Sequence, residues 1–279
     1  MNKPNFLQRL LKNRTAAAGL CFLTLLLILA VTANLFISED MVIGQDISQR
    51  LQKPSWQHPF GTDETGREML WRVLYGSRYS LLIGFASALL SLLIGVTLGA
   101  VSGYFGGIAG QLIMRLTDVF SALPSVLTAM AVTALLGGSE ANLILAVGIS
   151  AVPLFVRISR AAVMESYAEA YTEAARCMGA GPWRILVTHT LPHIFPTVLI
   201  QFCLRVGSAI LAASSLSFLG LGLGAPIPEW GALLAAGRGF IRSSGYLSLF
   251  PGIFITLTVL AFQLLGDGLR DVLDVEKSA

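Results

Sequence analysis

The sequence predicts an all-α, polytopic membrane protein: one domain over residues 1–279, with six transmembrane helices and both termini in the cytoplasm. Three observations carry that prediction. Only 13% of the 279 residues are charged and the mean hydropathy is +0.72, whereas soluble domains carry about 25% charge and need polar surface to cover their cores. A window of about 19 residues finds six apolar segments. Lys and Arg gather near alternate ends of those segments, and this bias orients spans.

The first segment, Ala16–Ile37, follows Lys3, Arg9, Lys12 and Arg14. It is longer than the apolar core of about 7–15 residues in a secretory signal and meets the roughly 20 needed to span. It is therefore read as an uncleaved first span, with residues 1–15 cytoplasmic. Residues 38–79 form a long extracytoplasmic loop with five basic and six acidic residues. In it, Met69, Leu70, Val73 and Leu74 make an apolar stripe beside Arg67, Glu68 and Arg72. That stripe predicts an interfacial helix before the second span, with Trp56 and Trp71 at headgroup depth. A contact for another protein is the alternative.

The second span, Ser80–Ser102, carries Gly95, Gly99 and Gly103, a ridge of small residues that lets helix backbones approach closely. Packing within the chain is preferred to a dimer seam. Thr117–Leu136 and Asn142–Ile158 are the third and fourth spans, and Pro124 and Pro153 inside them predict kinks. The fifth, Pro196–Phe218, holds Arg205, the single charge deep in a span. An arginine at the bilayer centre costs at least about 2.5–3.5 kcal/mol, so it should face a pathway or pair with a partner. Residues 219–246 return outside, with an ordered loop or short re-entrant helix over Ala225–Ser244. The sixth span, Leu247–Leu265, leads into a cytoplasmic tail, 266–279.

Several function classes fall away. A net charge of +3 is too small and too scattered for nucleic acid. Cys21, Cys177 and Cys203 form no C-x-x-C pair and read as apolar filler. His189 and His193 stand four apart but with Pro192 between them, and no H-E-x-x-H or G-x-S-x-G motif occurs, so no metal site or hydrolase is expected. A membrane-embedded enzyme or an ion-coupled secondary transporter stays a remote alternative, because only Arg205 qualifies as a midplane ionisable group.

One polar segment, residues 159–193, interrupts the apolar runs and lies on the cytoplasmic side. Its first part predicts a helix over Ala161–Met178, with Tyr167, Tyr171, Ala174 and Met178 on one face and Glu165, Glu169, Glu173 and Arg176 on another. Gly179 suits a left-handed helix end and Pro182 the first turn of a second helix, Trp183–Leu191, stopped by Pro192. Ala174 and Ala175 allow close approach to another protein's groove, and Glu173 can pair with a basic residue there. The acidic face argues against lying on anionic lipid.

"EAARCMGAGPWRILVTHTLP" resembles the EAA signature of permease subunits of ATP-binding-cassette importers, with Glu173, Ala174, Ala175, Gly179, Leu191 and Pro192 at the matching positions. His189, in the His-x-Leu-Pro form, is typical of the peptide and nickel branch. "HPFGTDETGREMLWRVLYGSRYSLLIG", "MRLTDVFSALPSVL", "SLSFLGLG", "PEWGALLAAGR" and "LLGDGLRDVLD" resemble that branch's other blocks, in order, over roughly residues 5–274. The chain thus looks like the second, "C"-type permease of a dipeptide, oligopeptide or nickel importer. Ala213 and Ser214 stand where the branch often has an acid, and Asp274-Val275 where it often has Asp-Pro.

The resemblance implies the rest. The chain would bind no cofactor: no G-x-x-x-x-G-K-[ST] occurs, and ATP and magnesium would sit in two partner ATP-binding subunits. A second homologous permease would complete the pathway in the bacterial inner membrane, and an extracytoplasmic substrate-binding protein would deliver the cargo. Glu173, Ala174, Ala175, Gly179, His189, Leu191 and Pro192 would couple to the ATPase. Arg205, Pro124 and Ser217 are candidates for the pathway, and Arg67, Arg72 and Trp230 for contact with the binding protein. Peptide is the expected cargo, with nickel or a metal chelate the alternative.

Overall fold

The computed structural model describes residues 6–277; Lys3 and the last two residues of the predicted tail lie outside them. Two short helices and one long one start the chain. Helix α1 (Phe6–Lys12) meets α2 (Arg14–Phe36) at Asn13, whose side-chain oxygen accepts the Thr15 and Ala16 N–H groups at 3.1 and 3.4 Å and so caps α2. Helix α3 (Glu39–Ile43) follows at the opposite end of the bundle.

Helix α4 (Met69–Phe105) returns as 37 unbroken residues. At about 1.5 Å per residue it is roughly 55 Å long and overshoots a hydrocarbon core of about 30 Å. The separate interfacial helix expected before span two is instead the first turns of α4. Met69 and Val73 bury their stripe against Leu26, Trp230, Leu233 and Leu247 of the chain's own core rather than against lipid.

The third span also differs from expectation. A kinked helix was predicted, but α5 (Gly107–Ser121) and α6 (Ser125–Leu136) meet at a bend of 87°. Pro124 heads α6; it has no N–H to offer the preceding turn, and its ring disfavours helical backbone in the residue before it. The bent pair still carries the chain along the bundle. It starts beside the last turn of α4, and Gly138 after it lies against the Gly222 carbonyl beyond the far end of α10. Helix α7 (Glu140–Tyr167) runs back through Pro153 and is longer than the predicted fourth span.

Two short helices, α8 (Ala170–Cys177) and α9 (Pro182–Ile185), form an elbow before α10 (Leu191–Phe218). Helix α11 (Trp230–Gly237) is the short helix expected between the last two spans, and α12 (Tyr246–Lys277) extends the sixth span and much of the tail as one helix. Among the described residues five helices are long and apolar enough to span, and the bent α5–α6 pair brings the number to six if it counts as one span. Asn13 Nδ2 donates to Asp271 Oδ2 at 3.0 Å, so both described ends of the chain meet at the elbow end.

Helices α4 and α7 share the largest interface, and glycine makes it possible. A Cβ on Gly95 would sit 2.4 Å from the Phe155 Cβ, one on Gly99 2.6 Å from the Val156 carbonyl, and one on Gly103 2.9 Å from the Arg160 carbonyl. The ridge therefore packs within the chain. Of the three cysteines expected as apolar filler, Cys21 and Cys177 are exposed and Cys203 is partly buried.

Candidate functional site

The elbow joins α7 to α10 and packs against the end of α4 through Phe105 and Trp183. The helix expected over Ala161–Met178 breaks at Ala168 and Glu169, and α8 starts afresh. The break resets the helical register, so the predicted faces do not hold. Thr172 and Ala175 are the buried residues of α8, while Tyr171 and Met178 are exposed. Glu173, Ala174, Cys177 and Met178 form one outward edge, at the spacing that puts residues on one helix face.

Gly179 ends α8 as expected. Its φ is +82°, in the left-handed region that favours glycine. Behind it the Ala180 N–H donates to the Ala175 carbonyl at 3.1 Å, closing the helix end. Pro182 opens α9, also as expected. Pro192 does not stop the second arm. A wide turn over Leu186–Thr190, in which the Leu191 N–H bonds the Leu186 carbonyl, joins α9 directly to α10. Pro192 falls in the first turn of α10, where the missing N–H costs little and the widened turn makes room for the ring. His189 and Pro192 are exposed and Leu191 is half-buried, so His189 and Pro192 extend the outward surface.

The other end of the bundle carries a hydrogen-bonded cap. The Asp63 carboxylate accepts the N–H groups of Thr65 and Arg67 at 2.8 and 3.0 Å, the Thr65 hydroxyl at 2.8 Å and Arg67 Nε at 2.7 Å. Arg72 Nη1 donates to the same carboxylate. Burial alone would raise the Asp63 carboxyl; the Arg67 N–H, the Arg72 guanidinium and Thr65 together hold it below the usual carboxylate range. Glu229 is buried and caps α11 by accepting the Gly231 and Ala232 N–H groups at 2.8 and 2.9 Å. The indole N–H of Trp230 donates to the Val73 carbonyl at 2.9 Å. The Tyr246 hydroxyl donates to the Thr62 carbonyl at 3.0 Å, and Phe60 stacks on Phe250 at 3.9 Å.

Residues 95–277 match the family described as "binding-protein-dependent transport system inner membrane component". The chain belongs to that family. Residues 5–54 match the N-terminal TM domain of oligopeptide transport permease C. The permease is 42% identical over 267 residues to the dipeptide transport system permease protein of Alkalihalophilus pseudofirmus, covering 96% of this chain and 88% of that protein. It is 42% identical over 269 residues to the glutathione transport system permease protein of Pectobacterium atrosepticum, covering 96% and 89%. A chain of the inward-facing MetNI methionine ABC transporter shares its fold, with a TM-score of 0.60 at 20% identity, covering 73% of this chain and 97% of that one.

The cap corrects one expectation. In the permease Arg67, Arg72 and Trp230 are buried inside the chain, so they build the cap rather than offer its surface. Sequence reasoning missed Asp63 and Glu229 as the groups that hold it. The "TDETG" stretch carried a signal for the first, since an Asp accepting from the backbone two residues on, ahead of a glycine at positive φ, is a turn signature.

The pathway candidates are not brought together. Pro124 is exposed at the α5–α6 bend. Arg205 is half-buried midway along α10, and its Nε is buried with no hydrogen-bond partner among the described residues. Ser217, at the cap end of α10, lines a cleft of about 260 Å³ with Arg67, Arg72 and the glycines Gly220, Gly222 and Gly224.

Proposed function

We propose that this chain is one of two homologous permease subunits of an ATP-binding-cassette importer that carries peptides. Two ATP-binding subunits, holding ATP and magnesium, drive it through the Glu173–Pro192 elbow, and an extracytoplasmic binding protein delivers cargo at the cap end. The observation that carries this reading is the outward edge of α8, where Glu173, Ala174, Cys177 and Met178 stand exposed on a short helix. Small residues there let a partner's groove come close, and the Glu173 carboxylate can meet a basic side chain in it.

The elbow end is assigned to the cytoplasm. Arg9, Lys12 and Arg14 of the N-terminal helices, Arg157, Arg160, Arg176 and Arg184 around the elbow, and Arg270 of α12 support this orientation. The cap end is then extracytoplasmic. The peptide cargo rests on the dipeptide and glutathione names of the relatives, which favour it over a nickel chelate. Arg205 is proposed to face either a cargo carboxylate or the second permease, since a buried guanidinium needs an anion or acceptors. Transport is pictured as rigid-body rocking of spans between inward- and outward-facing states.

The test is Glu173→Lys in the reconstituted transporter. Insertion of the spans should persist while ATP hydrolysis is uncoupled from peptide uptake. Normal transport with an unchanged ATPase rate would remove the docking role of that residue.

A further inference from the structure

A force applied to α8 must reach the long helices, and the backbone alone transmits it poorly. Helix α8 is joined to α7 through the break at Ala168 and Glu169, and to α9 through Gly179, Ala180 and Gly181. Both junctions are natural hinges, since glycine and irregular turns absorb changes in φ and ψ. A helix hinged at both ends would swing under load instead of moving its neighbours.

Side chains close both hinges. The Arg176 guanidinium lies over the Tyr167 ring at 3.6 Å from its centroid. Arg176 Nη2 is buried with no hydrogen-bond partner among the described residues, so the ring face is its main contact. The chain of rings continues from Tyr167 to Tyr104 at 5.5 Å, from Tyr104 to Phe105 at 5.2 Å and from Phe105 to Trp183 at 4.9 Å. These distances and their edge-on or tilted angles are those of attractive aromatic pairs. Shorter bonds reinforce the α7 side: the Thr172 hydroxyl donates to the Ser166 carbonyl at 2.8 Å, and the Ser166 and Tyr171 hydroxyls are 2.6 Å apart. On the other side Tyr171 meets the His193 ring of α10 at 5.5 Å.

We infer that Arg176 and Tyr167, continued through Tyr104, Phe105 and Trp183, form a bracket that locks the elbow to the ends of α4 and α7. A push on the exposed edge of α8 then moves the tightly packed α4–α7 pair as one body. These are positioning residues: Arg176 and Tyr104 are half-buried behind the outward edge of α8, and Tyr167, Phe105 and Trp183 keep part of their rings exposed beside it. The inference rests on the elbow being the ATPase docking element.

The experiment uses the complete transporter in liposomes, with the probes Arg176→Gln and Tyr167→Leu and the conservative controls Arg176→Lys and Tyr167→Phe. In each, the native thiol of Cys177, exposed on the same outward edge, serves for crosslinking to the ATP-binding subunit. A cation over a ring is worth enough to shift the held-to-swung balance about fivefold. The first two variants should therefore raise the ATP hydrolysed per peptide imported about fivefold while the crosslink still forms. The two controls should keep the parental ratio, because they retain the cation and the ring. An unchanged ratio in Arg176→Gln and Tyr167→Leu with the crosslink present overturns the bracket alone. Absence of the crosslink in the parent overturns the docking reading itself. If neither probe variant assembles while both controls do, the contact serves folding and the bracket is again overturned.

Discussion

Replacing Gly179 with alanine separates backbone conformation from packing at the corner of the elbow. Gly179 has a φ of +82°, and a Cβ added there meets no atom within 4 Å. No clash contributes, so the whole cost is that of holding an L-residue in the left-handed region, about 1–2 kcal/mol. Gly181 is a matched control: its φ is −69° and its added Cβ also meets nothing, so alanine there is neutral or slightly stabilising through the unfolded chain. A cost of about 1.4 kcal/mol is tenfold in the local opening equilibrium. The amides to watch are Gly179 and Ala180, which donate to the Arg176 and Ala175 carbonyls at 2.9 and 3.1 Å. Their hydrogen exchange, read by mass spectrometry on the purified protein, should speed up about tenfold in Gly179→Ala and stay unchanged in Gly181→Ala. Gly179→Asn should fall between, because asparagine tolerates this region better than alanine. Equal protection in the two alanine variants would refute the reasoning, since it would mean the corner does not depend on the sign of φ.

Asp63→Asn leaves Arg67 and Arg72 buried with no anion between them, and breaking a buried pair costs about 3–5 kcal/mol; a large fall in Tm in detergent measures it, and a Tm at the parental value would contradict the cap assignment. The folded Asp63 carboxyl sits below its usual range, so its stabilisation is full above the unfolded value of 3.8 and is lost as pH falls through the folded one. The acid limb of the Tm profile should therefore flatten in the variant. Gly99→Ala would put a Cβ 2.6 Å from the Val156 carbonyl and 2.8 Å from the Ser159 Cβ, and overpacking of that kind costs about 1–3 kcal/mol. Gly252→Ala, whose Cβ would meet nothing nearer than 3.9 Å, should leave Tm unchanged or raise it; similar losses in both would mean that the α4–α7 contact does not need its glycines.

Parts of this architecture were legible because they are local or compositional. The first span agrees with α2 to within a residue or two at either end, since a long apolar run has no other stable form where water is absent. The ridge of Gly95, Gly99 and Gly103 pointed to a close helix contact because spacing by four puts residues on one helix face. Gly179 and Pro182 marked the corner because each has a conformational preference written in its own covalent structure.

What did not show depended on neighbours distant in sequence. Arg67, Arg72 and Trp230 looked like surface contacts because loops are usually exposed, yet Asp63 and the Val73 carbonyl give them buried partners. Pro192 looked like a stop, but a turn one residue wider carries the helix past it. Pro124 looked like a kink, but the chain bends there by 87°.

The sequence by itself determined that this is a bundle of membrane helices with a polar elbow between its fourth and fifth spans, and its motifs matched those of the importer permeases. Both follow from which residues water rejects and from short patterns that need no partner. The tertiary structure alone decided which face of α8 points outward, where the cap's charges are buried and how the elbow's side chains close on α4 and α7. Those choices depend on side chains far apart in the chain sharing one small volume, where an unpaired charge or an added methyl group is costly.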